Sequence, residues 1–129
     1  MILLLTILFF ILAGVAEGVM DTLQFHYQSS KFKDFKNHLF WDPYHSWRNK
    51  YKNGDPQQGE RFPFSTTLLV GFTDAWHFFK LLRNLFIFIA VFTLLIFGGK
   101  SIATSLLITA LLRVLFGFAF TIMYKKMGV

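Results

Sequence analysis

Three long apolar runs dominate this chain, at about residues 1–24, 81–97 and 101–124. A helix that crosses a bilayer needs about 20 mostly apolar residues, and each run is close to that length. A chain of 129 residues that is 54% hydrophobic, with eighteen Phe, cannot hide so much apolar surface in a water-soluble interior. Some of it must face lipid or a partner. The expected fold is an all-α integral membrane protein forming a single membrane domain over 1–129. It has three transmembrane helices, with short amphipathic interfacial helices in the first cytoplasmic loop.

The first run has no basic residue ahead of it and is followed by Glu17 and Asp21, with lysines only from Lys31 onward. That polarity suits a retained anchor better than a cleaved signal peptide. Orientation follows from Lys and Arg placement. Eleven basic residues lie in the 28–64 loop, at the start of the second span (Lys80, Arg83) or after the third (Lys125, Lys126), against Lys100 alone in the short turn between spans. The N-terminus is expected outside, and the loop and C-terminus cytoplasmic, as in a multi-pass protein of a bacterial inner membrane. Gly98-Gly99 reads as a tight turn joining the last two spans. A net charge of +6 placed beside apolar runs points to anionic headgroups of the lipid bilayer. No base-reading or stacking motif supports nucleic-acid binding, and the absence of Cys excludes thiolate chemistry.

The loop carries its own pattern. Ser29 or Ser30 can cap a helix with Phe32, Phe35 and Leu39 on one face; Asp42-Pro43 reads as an N-cap followed by proline. Tyr44, Trp47 and Tyr51 recur at helical spacing, and Asn53-Gly54 provides a stop before a turn-rich connector to Pro63. These pieces are expected in the headgroup layer, with Trp41, Trp47 and Trp76 as anchors; the alternative is that they pack on one another. Ser65 can cap a further helix striped with Leu68, Leu69, Phe72, Trp76 and Phe79. Residues 65–80 then either continue into the second span or break near Gly71 or Thr73.

Polar residues at membrane depth each need an account. Glu17 and Asp21 lie one helical turn apart; Asp74, His77 and Asn84 fall within a sector of about 80° on a continuous helix. Thr109, Arg113, Gly117 and Thr121 step along one face of the third span. Counted at about 1.5 Å per residue, Glu17, Asp21, Asp74 and His77 reach one level near the cytoplasmic edge, with Arg113 close below it. Three carboxylates and an imidazole suit a divalent metal: Mg or Mn with oxygen donors, Zn or Fe with the mixed set. The expected site therefore has Glu17, Asp21, Asp74 and His77 as metal ligands. Asp74, His77 and Arg113 are its catalytic residues, and Arg113 or Lys80 steadies an anion. Against this stands a purely structural assignment, in which Glu17 or Asp21 pairs with Arg113 and Asp74 caps a helix beginning at Thr73. His26, His38 and His45 read as solvated or headgroup-facing.

Two functions fit. One is a metal-dependent hydrolase or transferase acting on a phosphorylated lipid or other amphiphilic substrate at the cytoplasmic interface. The other is a non-catalytic assembly subunit, channel or holin-like pore former, self-associating as a homo-oligomer through small residues of the third span.

Overall fold

The computed structural model describes residues 1–126, so the expected cytoplasmic C-terminus at 127–129 lies outside the described residues. The described chain is all-helical, with short 3-10 turns and one isolated bridge between Tyr51 and Glu60. Its α-helices are α1 (Ile2–Phe25), α2 (His38–Trp41), α3 (Pro43–Ser46), α4 (Ala75–Phe97) and α5 (Ile102–Lys126). Three of them, α1, α4 and α5, are long and apolar enough to cross a membrane. The chain divides into two compact units, Met1–Phe10 with Phe86–Val129, and Ile11–Leu85.

In the first unit, the helices meet through a hydroxyl pair and a ring pair. The hydroxyls of Thr6 and Thr93 lie 2.8 Å apart, and the Phe9 and Phe86 rings are 5.9 Å between centroids. On α5 only Ser105 and Thr109, one turn apart, are buried among the described side chains, and Thr109 donates to the Ser105 carbonyl at 2.7 Å. The turn between α4 and α5 follows from its glycines. Gly99 takes φ +80°, a conformation that costs a glycine little. That lets the Lys100 amide reach the Leu95 carbonyl and the Gly99 amide reach that of Ile96, both at 3.0 Å, which satisfies two carbonyls otherwise orphaned at a helix end. Ser101 then opens α5 by accepting from the Thr104 amide at 3.1 Å.

The second unit is built around Leu23, Tyr27 and Ala75, with Val19, Phe32, Phe40, Trp41 and Trp76 packed against them. Trp41 is its aromatic hub: it stacks on Phe32 (5.3 Å, 7°) and meets Phe35 and Phe40 edge-on. The loop pieces therefore pack on one another and on the start of α4. Ser30 caps as expected, accepting from the Phe32 amide at 3.2 Å. The helix it opens is only a 3-10 turn, Lys31–Asp34, because Phe35 is extended; α2 is a separate turn. Asp42 caps α3 by accepting from the Tyr44 amide at 2.9 Å, with Pro43 in the first turn. Burial, and then the negative charges of Asp42 and Asp34, push the Tyr27 phenol above its ordinary pKa, and its hydroxyl is buried without a hydrogen-bond partner among the described residues.

The 65–80 segment is broken, and Ser65 does not cap a helix. Fully buried, its hydroxyl donates to the Lys50 carbonyl at 2.7 Å and accepts from the Arg61 amide at 3.2 Å, tying the ends of the 50–61 connector together. Glu60 binds the following turn through the Phe64 and Thr66 amides and the Thr66 hydroxyl. The Thr66 hydroxyl, and then the Phe64 amide, hold the Glu60 carboxyl below its usual value. A 3-10 turn at Val70–Phe72 leads to Asp74, and α4 begins one residue later. At Gly71 a β-carbon would sit 3.1 Å from Leu81 Cδ2, so this turn lies close on the first turns of α4.

Candidate functional site

Why α4 starts at Ala75 explains the site. Asp74 is its N-cap: Oδ1 accepts from the His77 amide at 2.9 Å, satisfying one of the donors left open at a helix start. Its Oδ2 lies 2.7 Å from His77 Nδ1 and 3.2 Å from the Thr73 hydroxyl. Asp74 is buried, at 3% exposure, while the His77 side chain is about one-third exposed. The backbone just before the cap is held from the loop: Asn49 donates to the Thr73 carbonyl at 2.6 Å, and Arg61 donates to the Asn49 amide oxygen.

A carboxylate only accepts, so Nδ1 of His77 is the donor in this contact, and in the neutral imidazole Nε2 is then the nitrogen with the lone pair. His77 and Asp74 line an open pocket of about 310 Å³ together with Gln24, Pro43, Ser46, Trp47 and Trp76. The rings of Pro43, Trp47 and Trp76 supply an apolar wall and Gln24, Ser46, Asp74 and His77 the polar groups, a composition suited to an amphiphile. Two cations stand on its tryptophans: Lys80 Nζ is 4.9 Å from the Trp76 centroid and Arg48 Cζ is 5.1 Å from that of Trp47.

The structure joins two of the expected site residues and gives Glu17 a different partner. Asp74 and His77 form a pair. Glu17 engages Arg83, whose Nη1 donates to Oε2 at 2.6 Å, while Nη2 reaches the Asn84 amide oxygen at 3.3 Å. Glu17 thus pairs with Arg83, where the structural alternative had Glu17 or Asp21 pairing with Arg113. The reason is the early start of α4, which places Arg83 in the third turn of the helix rather than at its edge. Asp21 is exposed, and so is Arg113, whose guanidinium lies 5.4 Å from the Phe116 ring of its own helix. Neither enters an ion pair among the described residues. No group of three or more His, Asp or Glu side chains among the described residues is placed to share one metal ion.

One residue was missed from sequence. Asn49 gives no signal, because its contact is to backbone 24 positions away. Asp42-x-x-His45 repeats the Asp74-x-x-His77 spacing, and His45 Nδ1 lies 2.8 Å from Asp42 Oδ2. Both helices start with the same aspartate–histidine cap. They differ in environment: the His45 side chain is about two-thirds exposed and does not line the pocket.

No known family, no curated protein and no solved structure matches the chain. Its three apolar helices suggest the class, a multi-pass membrane protein.

Proposed function

We propose that this is a hydrolase or transferase of the bacterial inner membrane, oriented with the N-terminus outside, acting on a phosphorylated lipid or similar amphiphile at the cytoplasmic interface. The carrying observation is the buried Asp74 holding His77 Nδ1 at 2.7 Å beside an apolar-walled pocket. A neutral imidazole fixed in this tautomer is a general base. Its Nε2 takes a proton from water as the water oxygen bonds to phosphorus. The phosphorus–oxygen ester bond breaks, and the proton passes to the departing oxygen. Lys80 supplies a cation on the Trp76 side.

The four-ligand metal centre is less well supported, on the geometry of Asp74. Both of its oxygens are already engaged by the His77 amide, the His77 ring and the Thr73 hydroxyl. It serves better behind the imidazole than as a ligand. Vesicles containing phosphatidic acid, assayed for released inorganic phosphate, test both versions. Wild type is expected to release phosphate in the presence of EDTA, and His77→Ala to lose about 10²–10⁴-fold in rate. Release that requires an added divalent ion would return the site to the metal centre, and none from wild type under any condition would sink the hydrolase reading for this substrate. The non-catalytic alternative draws support from α5, whose leucines and phenylalanines are mostly exposed, as in a helix that meets lipid or a partner.

A further inference from the structure

All seven acidic residues of the chain lie between Glu17 and Asp74, so the unit formed by Met1–Phe10 and Phe86–Val129 contains no carboxylate side chain. Arg113 sits in the middle of the apolar stretch Ile102–Met123 of that unit. It is exposed and forms no ion pair among the described residues. A guanidinium at that depth on an apolar helix needs an anion. Its position narrows the choice. The group leans toward the C-terminal side, lying over Phe116 and 3.7 Å from where a β-carbon on Gly117 would be. From Gly117 to the end of the stretch at Met123 is about 9 Å of helix at the standard rise. The charge therefore stays inside the hydrocarbon layer, short of lipid phosphates.

A second group lacks its counter-charge. Glu17 holds Arg83, but Asp21, one turn further along α1, is exposed and has no hydrogen-bond or ion-pair partner among the described residues. It is the one acid of the apolar helices left in that condition. When all three helices cross a bilayer, α1 and α5 cross in the same direction. Counted from the ends that face the same side, Asp21 lies about 28 Å along α1 and the Arg113 guanidinium about 22 Å along α5. An aspartate side chain leans back toward its helix N-terminus, a tilt of α1 by about 20° takes off about 2 Å more, and the length of a salt bridge spans what is left.

We infer that two copies of this chain pair in the membrane through reciprocal Arg113–Asp21 ion pairs, α5 of each against α1 of the other. The arrangement is self-complementary, as a two-fold interface requires: each copy gives one cation and one anion. Gly117, which carries no side chain beside the guanidinium, lets the facing helix approach closely. Charge complementarity thus selects a second copy over lipid as the occupant of this face.

Charge reversal with mixing tests this on the full chain, labelled with donor or acceptor dyes and reconstituted in vesicles, with energy transfer reporting association. Asp21→Arg alone places two cations on each copy and Arg113→Asp alone two anions, so either variant is expected to lose association at least tenfold. The two variants mixed restore both ion pairs, and transfer is expected to return to the wild-type level between unlike copies only. A monomeric wild type would overturn the inference. So would undiminished association of either single variant, or mixing that fails to rescue two variants whose helix content matches wild type. The hydrolysis assay reads a different site, so the failure of one proposal is separable from the failure of the other.

Discussion

Replacing Arg83 with leucine is expected to destabilise the chain by about 1–3 kcal/mol, because it leaves the half-exposed Glu17 carboxylate on an apolar helix without its counter-charge. The pair joins α1 to α4 through a single 2.6 Å hydrogen bond between charged groups, with Asn84 as a second acceptor for the guanidinium. The cost comes from the partner left behind rather than from the strength of the pair itself. Substituting both residues, Glu17→Leu with Arg83→Leu, removes both charges from the apolar helices and is expected to fall within about 1 kcal/mol of wild type, because the cost of placing each charge there goes with the pair. Glu17→Leu alone should resemble the Arg83 variant. The coupling energy from this four-protein cycle, measured by reversible unfolding in bicelles, is the quantity to compare. Four stabilities that simply add would mean that Glu17 and Arg83 do not meet in the membrane.

Asp74 separates stability from chemistry. Asp74→Ala removes the cap and leaves the His77 amide and Nδ1–H without acceptors, and about 2–4 kcal/mol of stability is expected to go with them. Asp74→Asn behaves differently. Its carbonyl oxygen still accepts from the His77 amide, so the helix start survives at a cost of about 1 kcal/mol. Its NH₂ group, however, now faces Nδ1 as a donor. The imidazole proton must move to Nε2, and the base is lost. Phosphate release by Asp74→Asn is expected to fall as far as in His77→Ala, with thermal unfolding near that of wild type. Full turnover by Asp74→Asn would reduce Asp74 to a helix cap.

The spans were legible because a 20-residue apolar run needs no tertiary context to be recognised. A break near Thr73 was one of two alternatives legible for residues 65–80, and the structure takes it; the apolar span, legible from 81, reaches back to Ala75, where Trp76, His77 and Lys80 do not resemble a membrane helix by composition. By composition Arg83 reads as a flanking cation, which leaves Arg113 as the cation at depth for Glu17 or Asp21. The Asp74–His77 spacing was visible, and its geometry was one of the two alternatives weighed; what decides for a cap is that Thr73 ends a 3-10 turn fixed by Asn49, a contact no periodicity reveals. In the loop, the capping residues Ser30 and Asp42 stood out because caps are local. The short length of the helix after Ser30 did not, because it is set by Trp41 drawing Phe32 and Phe35 together from across the break at Phe35.

Everything proposed for the pocket depends on which ring nitrogen of His77 carries the proton. Nitrogen-15 spectra of histidine-labelled protein in lipid nanodiscs measure this directly, with the His77 signals assigned by their loss in His77→Gln among the four histidines of the chain. A protonated Nδ1 and a bare Nε2, exchanging places in Asp74→Asn, is the predicted result. A proton on Nε2 in the wild type, or a spectrum indifferent to Asp74, would contradict it.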